Sequence, residues 1–167
     1  TPLPGMVDNS MHKYMRPIFW QLHNSCSPAA GIAYNFTYEI NRLRDIDVSN
    51  IEDTAKCFPT HFTYNFLNQG KGSLGCSIFK CWDIVKEQGC PSILVYGSMS
   101  KDTTHWMSGY TKYDSSLVNR LHSYSKIKIN DSSKLTILKH WLNDHNEGDS
   151  IGGLANFTGF LGNPAYA

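Results

Sequence analysis

The chain has 167 residues, of which 41% are hydrophobic, and a formal net charge of +1 at pH 7. This length is enough for one domain with a substantial core, and no apolar run reaches the roughly 20 residues that cross a membrane. Lys and Arg are scattered, so the sequence gives no reason to expect nucleic acid or an acidic membrane surface as a partner. No signal peptide is recognisable, although a mature secreted chain would have lost one.

Residues 1–20 are predicted to be extended. Prolines at positions 2, 4 and 17 and the lack of apolar periodicity indicate a surface strap that leads to Gln21. His12 and His23 are both interpreted as solvated side chains, because a histidine beside a thiol in a loop is seldom oriented as its base.

A helix is predicted over residues 27–44. Ser27 is a candidate N-cap residue, and Pro28 fits the first helical position, where its missing N–H costs nothing. Apolar residues at three- and four-residue spacing give this helix one apolar face: Ala29, Ala33, Phe36, Ile40 and Leu43.

Cys26 stands where this helix begins, and Gln21 lies a short distance upstream. The positive end of a helix dipole favours the thiolate, which is the nucleophilic form of cysteine. A glutamine side chain can donate a hydrogen bond to a developing oxyanion. The residues alone leave two interpretations open: a nucleophile with an oxyanion-binding glutamine, or a structural cysteine beside a buried helix.

Two shorter helices are predicted next. They cover residues 59–67 and residues 82–89, the second ending at Gly89, a residue suited to the position after a helix. The glycine-rich residues 68–75 lack the spacing of a phosphate-binding loop and follow no strand, so no nucleotide site is predicted.

The second half of the chain is predicted to contain one more helix and two short strands. Residues 92–97 and 151–157 read as strands, and residues 134–143 as an amphipathic helix. Residues 98–131 are polar and aromatic and are interpreted as irregular.

The chain has five cysteines: Cys26, Cys57, Cys76, Cys81 and Cys90. In a secreted chain, one free nucleophile and two disulfides would account for the odd number, with the pairing left open. The four cysteines other than Cys26 lack the Cys-x-x-Cys spacing of a zinc site, so no metal is predicted. Reduced cysteines in a cytoplasmic protein are the remaining alternative.

Several segments, in the same order, resemble the papain-like (C1-type) cysteine peptidases. Residues 3–8 resemble the family's N-terminal Leu-Pro-x-x-Val-Asp, and residues 16–18 its basic turn and Pro-Val. Residues 21–26 resemble its glutamine and cysteine before a long helix. In a divergent bacterial branch this cysteine is followed by Phe-Thr-Tyr-Glu-Val-Asn, and residues 36–41 read Phe-Thr-Tyr-Glu-Ile-Asn.

Two alignments with the family are open. In the first, Cys26 is the nucleophile and Gln21 the oxyanion residue; we favour it because Gln21 and Ser25-Cys26 then all find partners. In the second, Cys26 matches an upstream disulfide cysteine and Ala29 takes the nucleophile's place, so the protein would be inactive.

Residues 75–82 resemble the family segment Gly-Cys-x-Gly-Gly-x-x-Trp, which lines the substrate cleft. Ile78 and Phe79 occupy the positions of the paired glycines. The resemblance makes them candidate substrate-binding residues, and their size predicts a narrower cleft or a different path of the loop.

The resemblance implies an α+β, papain-like fold. A helical subdomain around the cysteine helix would cover residues 1–148, and a β-rich subdomain would start in residues 149–167. The family's base histidine follows its cysteine by about 130–150 residues. No histidine follows His145, so the single domain of residues 1–167 is expected to be incomplete at its C-terminus.

The function that the resemblance implies is that of a secreted peptidase, extracellular or at the cell surface, which cleaves a peptide or protein substrate through Cys26 without a cofactor. The base histidine would come from the remainder of the polypeptide or from a second chain. The alternative is a catalytically inactive papain-like domain that serves as a binding or assembly module of a larger extracellular or cell-surface protein. Ile78, Phe79, the second alignment and the missing histidine motivate it.

Overall fold

The computed structural model describes residues 2–50, 54–97, 101–148 and 151–158. In chain order the elements are a 3-10 turn (Asn9–Met11), α1 (Cys26–Pro28), a π-helical segment (Ala29–Phe36), α2 (Thr37–Leu43), α3 (Thr60–Leu67), α4 (Ile78–Gln88), α5 (Ile93–Tyr96), α6 (Tyr110–Leu117) and α7 (Ser132–Asp144). None of the helices in these ranges has both the length and the apolar character needed to cross a bilayer.

One continuous helix, here called the central helix, runs from Cys26 to Leu43 and consists of α1, the π-helical segment and α2. Its backbone stays in the right-handed helical region at both junctions, with φ −61° and ψ −50° at Ala29 and φ −59° and ψ −47° at Thr37. The helix predicted over residues 27–44 is thereby confirmed. The sequence did not predict its π-helical middle, in which Thr37 N–H donates to the carbonyl oxygen of Ile32, five residues earlier.

The core lies where the central helix meets α3 and α4. Its buried side chains are Ile32, Phe36, Phe58, Phe62, Cys81, Val85, Cys90 and Tyr96. The rings of Phe36 and Phe58 pack 4.9 Å apart. Each fully buried side chain of this size contributes about 1.5–3 kcal/mol, so the cluster fixes the central helix against its two neighbours.

The predicted α+β fold is wrong, because 44% of the structure is helical and the described residues contain no strand. Residues 151–158 have no regular secondary structure, and helices provide hydrogen-bond partners for several of their backbone groups. Gly153 N–H donates to Trp141 O at 2.9 Å, and Gly152 O accepts from the Tyr38 hydroxyl at 2.8 Å. Side chains and helix carbonyls replace the partner strand, so no sheet starts here. Residues 149–150 and 159–167 of the predicted β-rich subdomain lie outside the described residues.

The strand predicted over residues 92–97 is also wrong. These residues form the single turn of α5, with Tyr96 N–H donating to Ser92 O at 2.9 Å and Gly97 N–H to Ile93 O at 2.8 Å. A short apolar run cannot be assigned to strand or helix by periodicity alone. The stretch predicted to be irregular contains α6.

The other predicted helices are confirmed as α3, α4 and α7, with different ends. Helix α4 begins at Ile78, before the predicted start, and is followed by Gly89 at φ +72°. A Cβ atom at Gly89 would lie 1.9 Å from Ser116 O, so glycine is required there. Helix α7 is capped by Asp131, whose carboxylate accepts from Lys134 N–H at 2.9 Å.

Candidate active site

Cys26 is the first residue of the central helix, and its side chain is exposed. Ala29, the alternative nucleophile position, is only 6% exposed. A side chain at position 29 therefore points into the core, whereas a side chain at position 26 faces solvent. Of the two positions, only that of Cys26 presents a thiol to a substrate.

The helix end beside Cys26 has no side-chain cap. The N-cap residue is Ser25 rather than the predicted Ser27, and the Ser25 hydroxyl donates to Leu22 O at 2.5 Å instead of accepting from the first turn. The first N–H groups of a helix carry its partial positive charge. This charge lies next to the Cys26 thiol without a side-chain acceptor from Ser25 to offset it.

The loop before Cys26 is attached to the glycine-rich loop that follows α3. Asn24 N–H donates to Gly72 O at 3.1 Å, and the Asn24 side-chain amide donates to Ser73 O at 2.6 Å. The buried hydroxyl of Tyr64, on α3, lies 3.0 Å from Gly72 O. Helix α3 thus positions the start of the central helix through the glycine-rich loop.

The Tyr64 hydroxyl is buried and feels the charge of two cysteine thiols. Its pKa is raised above the ordinary value, mainly by burial and to a smaller extent by the nearby sulfurs of Cys76 and Cys26. The hydrogen bonds of Asn24 to Gly72 and Ser73 bring the segment that leads into the central helix next to the segment that leads into α4.

Gln21 is exposed, and its amide nitrogen lies 3.5 Å from His23 O, at the limit of a hydrogen bond. A side chain held by one weak contact can turn toward a ligand at little cost. The Gln21 amide can therefore reorient easily.

His23 is not the solvated side chain that the sequence predicts. Its Nε2 atom is buried without a hydrogen-bond partner, and its ring lies parallel to that of Tyr64, with centroids 6.3 Å apart. The backbone of His23 is left-handed, at φ +59°. A Cβ atom at Gly72 would lie 2.4 Å from His23 Nδ1, so the ring occupies the space that this glycine leaves open. The glycines of residues 68–75 were the only sequence signal for this close packing.

Ile78 and Phe79, the candidate substrate-binding residues, lie in the first turn of α4. Ile78 packs on the central helix, where a Cβ atom at Gly31 would come within 2.8 Å of its Cγ1 atom. The Phe79 ring lies 5.9 Å from that of Trp82 and 6.0 Å from that of Tyr124. Both side chains are partly buried and contribute to packing between elements.

An open cleft of about 360 Å³ runs beside the central helix, between the N-terminal strap and residues 154–156. Its lining is mostly apolar: Ser10, Met15, Arg16, Ile18, Ala30, Tyr34, Asn35, Leu154, Ala155 and Asn156. Ala30 follows Cys26 by about one turn, which is the spacing of residues on the same side of a helix. The Asn156 amide donates to Ala30 O at 3.1 Å, so a hydrogen bond joins two of the elements that line the cleft.

No arrangement of three or more His, Cys, Asp or Glu side chains that could hold a metal ion occurs in the described ranges. Comparison of the chain with protein-family models, with curated proteins and with solved structures gives no match. The papain-like resemblance stays a prediction based on sequence motifs.

Proposed function

We propose that this chain carries the nucleophile of a papain-like cysteine peptidase and that the nucleophile is Cys26. The observation that carries the proposal is the exposed thiol at an uncapped helix N-terminus. Such a helix end favours the thiolate, and it also favours negative charge on a bound carbonyl oxygen.

The proposed reaction is attack of the Cys26 thiolate on a peptide carbonyl carbon. The oxyanion of the tetrahedral intermediate is stabilised by backbone N–H groups at the start of the central helix and by the Gln21 amide. Expulsion of the amine leaves a thioester on Cys26, which water hydrolyses. His23 does not suit the role of base, because its Nε2 atom is buried. The proposal assigns that role to a histidine in the remainder of the polypeptide or in a second chain.

The test is covalent labelling by an epoxysuccinyl peptide, whose epoxide carbon alkylates an activated thiolate. The reduced, full-length natural protein is treated with the reagent, and intact mass and peptide mapping locate the adduct. We expect one adduct, on Cys26, and none in Cys26→Ala. The variant with both Cys26→Ala and Ala29→Cys is the control for the second alignment, and it should also stay unlabelled. Failure of Cys26 to react, in protein whose circular dichroism shows it to be folded, would remove the proposal.

A second candidate function is a binding or assembly module without catalysis. The packing of Ile78 against Gly31 favours it, because a side chain fills the place where the family's glycines would expose backbone to a peptide. The two functions differ in whether a bound peptide is hydrolysed. Peptide hydrolysis that disappears in Cys26→Ser would exclude the module, whereas peptide binding without hydrolysis, unchanged in Cys26→Ser, would support it.

A further inference from the structure

Two cysteines that the proposed peptidase chemistry does not use lie in contact with each other. The sulfur atoms of Cys76 and Cys81 are 3.7 Å apart and are not bonded. Ser77, between Cys76 and the start of α4, is extended at φ −76° and ψ 133°. The chain therefore turns sharply into the helix, and Cys76 lies over the first turn that carries Cys81.

The two thiols differ in access to solvent. Cys76 is half-buried, whereas Cys81 is 0% exposed. They differ in acidity as well. A hydrogen bond from the Cys81 thiol lowers the pKa of Cys76, and the same hydrogen bond together with burial raises the pKa of Cys81. Cys76 is therefore the more accessible and more readily ionised thiol, and Cys81 is the protonated partner behind it.

This arrangement has the two parts needed for thiol–disulfide exchange: an accessible thiolate that attacks, and a second thiol in contact with it that resolves the mixed disulfide. A disulfide requires a sulfur–sulfur distance of about 2.05 Å. From 3.7 Å, the sulfur atoms need to close by about 1.7 Å, which is within the reach of side-chain rotation.

We propose that Cys76 and Cys81 form a redox-active dithiol that is oxidised to an intramolecular disulfide by low-molecular-weight disulfides such as glutathione disulfide. The Cys76 thiolate attacks one sulfur of glutathione disulfide, forms a mixed disulfide and releases one glutathione. Cys81 then loses its proton to the released thiolate, attacks the Cys76 sulfur and displaces the second glutathione. Two protein thiols are oxidised to one disulfide, and one glutathione disulfide is reduced to two thiols.

The other cysteines are less suited to this reaction. Cys90 is 0% exposed, burial raises its pKa, and its thiol contacts Pro91 O at 3.7 Å. Cys57 is also buried. Cys26 is exposed, but no sulfur contact of its side chain occurs among the described residues, so its exchange would stop at the mixed disulfide.

The dithiol borders two packing contacts. Trp82, the residue after Cys81, donates from its indole nitrogen to Gly31 O at 3.3 Å and so joins α4 to the central helix. Closing the disulfide draws Cys76 toward this turn, so Trp82 fluorescence should change on oxidation. The inference does not depend on Cys26 being a nucleophile.

The test is peptide mapping across a series of glutathione redox buffers. To prevent exchange with Cys26, the full chain is used as Cys26→Ser, and free thiols are blocked with N-ethylmaleimide before digestion. Trypsin cleaves after Lys71, Lys80 and Lys86, so a disulfide between the two cysteines links peptide 72–80 to peptide 81–86. We expect this linked pair to rise with the proportion of glutathione disulfide and to vanish on reduction.

Variants separate the roles of the two thiols. Cys81→Ser should accumulate one glutathione on Cys76, because the resolving thiol is gone, and Cys76→Ser should take up none at position 81. Absence of the linked peptides in the folded Cys26→Ser chain at every buffer ratio would overturn the proposal. So would a predominant link from either cysteine to Cys57 or Cys90. These measurements require only the Cys26→Ser chain to fold, and peptidase activity does not enter them.

Discussion

At the scale of single residues, the glycine-rich loop is shaped by the ring packed beneath it. Gly72 leaves room for His23, and a Cβ atom there would lie 2.4 Å from the His23 ring. Gly75, in the same loop, has no neighbour closer than 3.9 Å to such an atom. Packing against a neighbouring side chain thus requires a glycine at position 72 but not at position 75.

Gly72→Ala is expected to destabilise the fold by about 1–3 kcal/mol, the usual cost of overpacking. The physical reason is that the His23 ring must move off Tyr64. Gly75→Ala is the matched control and should change the free energy of unfolding little. Urea unfolding of both variants measures the difference. If His23→Ala fails to relieve the effect of Gly72→Ala in the double variant, the contact is not its cause.

The acidity of Cys76 is a second property set by a single neighbour. Because the hydrogen bond from Cys81 lowers the pKa of Cys76, its alkylation by iodoacetamide should reach half of its maximal rate below the ordinary thiol value of about 8.5. Cys81→Ala removes the donor and should move that midpoint to higher pH. Mass spectrometry of Cys76 labelling between pH 6 and about 10 gives the midpoint, and an unchanged midpoint in Cys81→Ala would refute the assignment.

At the scale of elements, the sequence predicts the central helix but not its winding. Apolar residues at helical spacing are enough to indicate a helix with one buried face. They do not identify the element that packs against that face. The π-helical middle lies where α4 approaches Gly31, and Ile78 and Trp82 would clash with a Cβ atom there. A contact between helices distant in the sequence cannot be inferred from local periodicity.

The segment 151–158 shows why the predicted strand was wrong. Its apolar residues and glycines are compatible with a buried strand, but its hydrogen-bond partners come from helices. Leu154 N–H donates to the Glu39 carboxylate at 3.1 Å, and Leu154 O accepts from the Trp141 indole at 2.8 Å. Glu39 is 115 residues away along the chain and Trp141 is 13 residues away. Local periodicity therefore cannot distinguish a strand from a segment held by helices until the tertiary contacts are known.

Docking of this segment should depend on Gly152. A Cβ atom there would lie 1.7 Å from Leu142 O, a backbone atom that cannot rotate away. Gly152→Ala is therefore expected to separate the segment from α7 and to shift the fluorescence of Trp141. Ala155→Ser, at an exposed neighbouring position, is the control. Equal thermal unfolding and emission spectra for the two variants would show that the segment is not docked in this way.

His145 forms the other attachment of this segment. Its Nδ1 atom lies 2.7 Å from Ile151 O and its Nε2 atom 2.9 Å from the Glu39 carboxylate, and the residue is 4% exposed. The Ile151 carbonyl oxygen accepts a hydrogen bond, so His145 Nδ1 carries a proton. The contact with Glu39 needs a second proton, either on His145 Nε2 or on the Glu39 carboxyl group.

His145→Ala should lower the free energy of unfolding by about 1.5–3 kcal/mol, the range for a hydrogen bond to a charged group. His140→Ala is the control, since His140 is 31% exposed at its side chain and lies 3.7 Å from Asp144. Glu39→Gln should lower the free energy of unfolding less in the His145→Ala background than in the natural chain. Strict additivity would contradict a direct bond between the two side chains.

At the scale of the whole molecule, three distant parts of the chain meet at the cleft: the N-terminal strap, the central helix and residues 154–156. The sequence placed the first two together through Gln21 and Cys26. The sequence did not predict that residues 154–156 would reach the central helix without forming a strand, with the Asn35 amide donating to Leu154 O at 3.2 Å. The papain-like resemblance supplied the order of motifs, and the expected β-rich subdomain came from that resemblance rather than from the residues.

Trapping of an acyl group on the Cys26 sulfur is the most direct test of Cys26 as a nucleophile. The reduced protein is mixed with a small activated ester and quenched in acid at short times, so that a thioester survives for mass spectrometry. Such an ester needs only a reactive thiolate, so the result does not depend on where the base histidine lies. We expect one acyl group, on Cys26, which forms faster than on any other thiol and is absent in Cys26→Ala. Acylation of Cys76 ahead of Cys26, or equal slow acylation of all five cysteines, would contradict it.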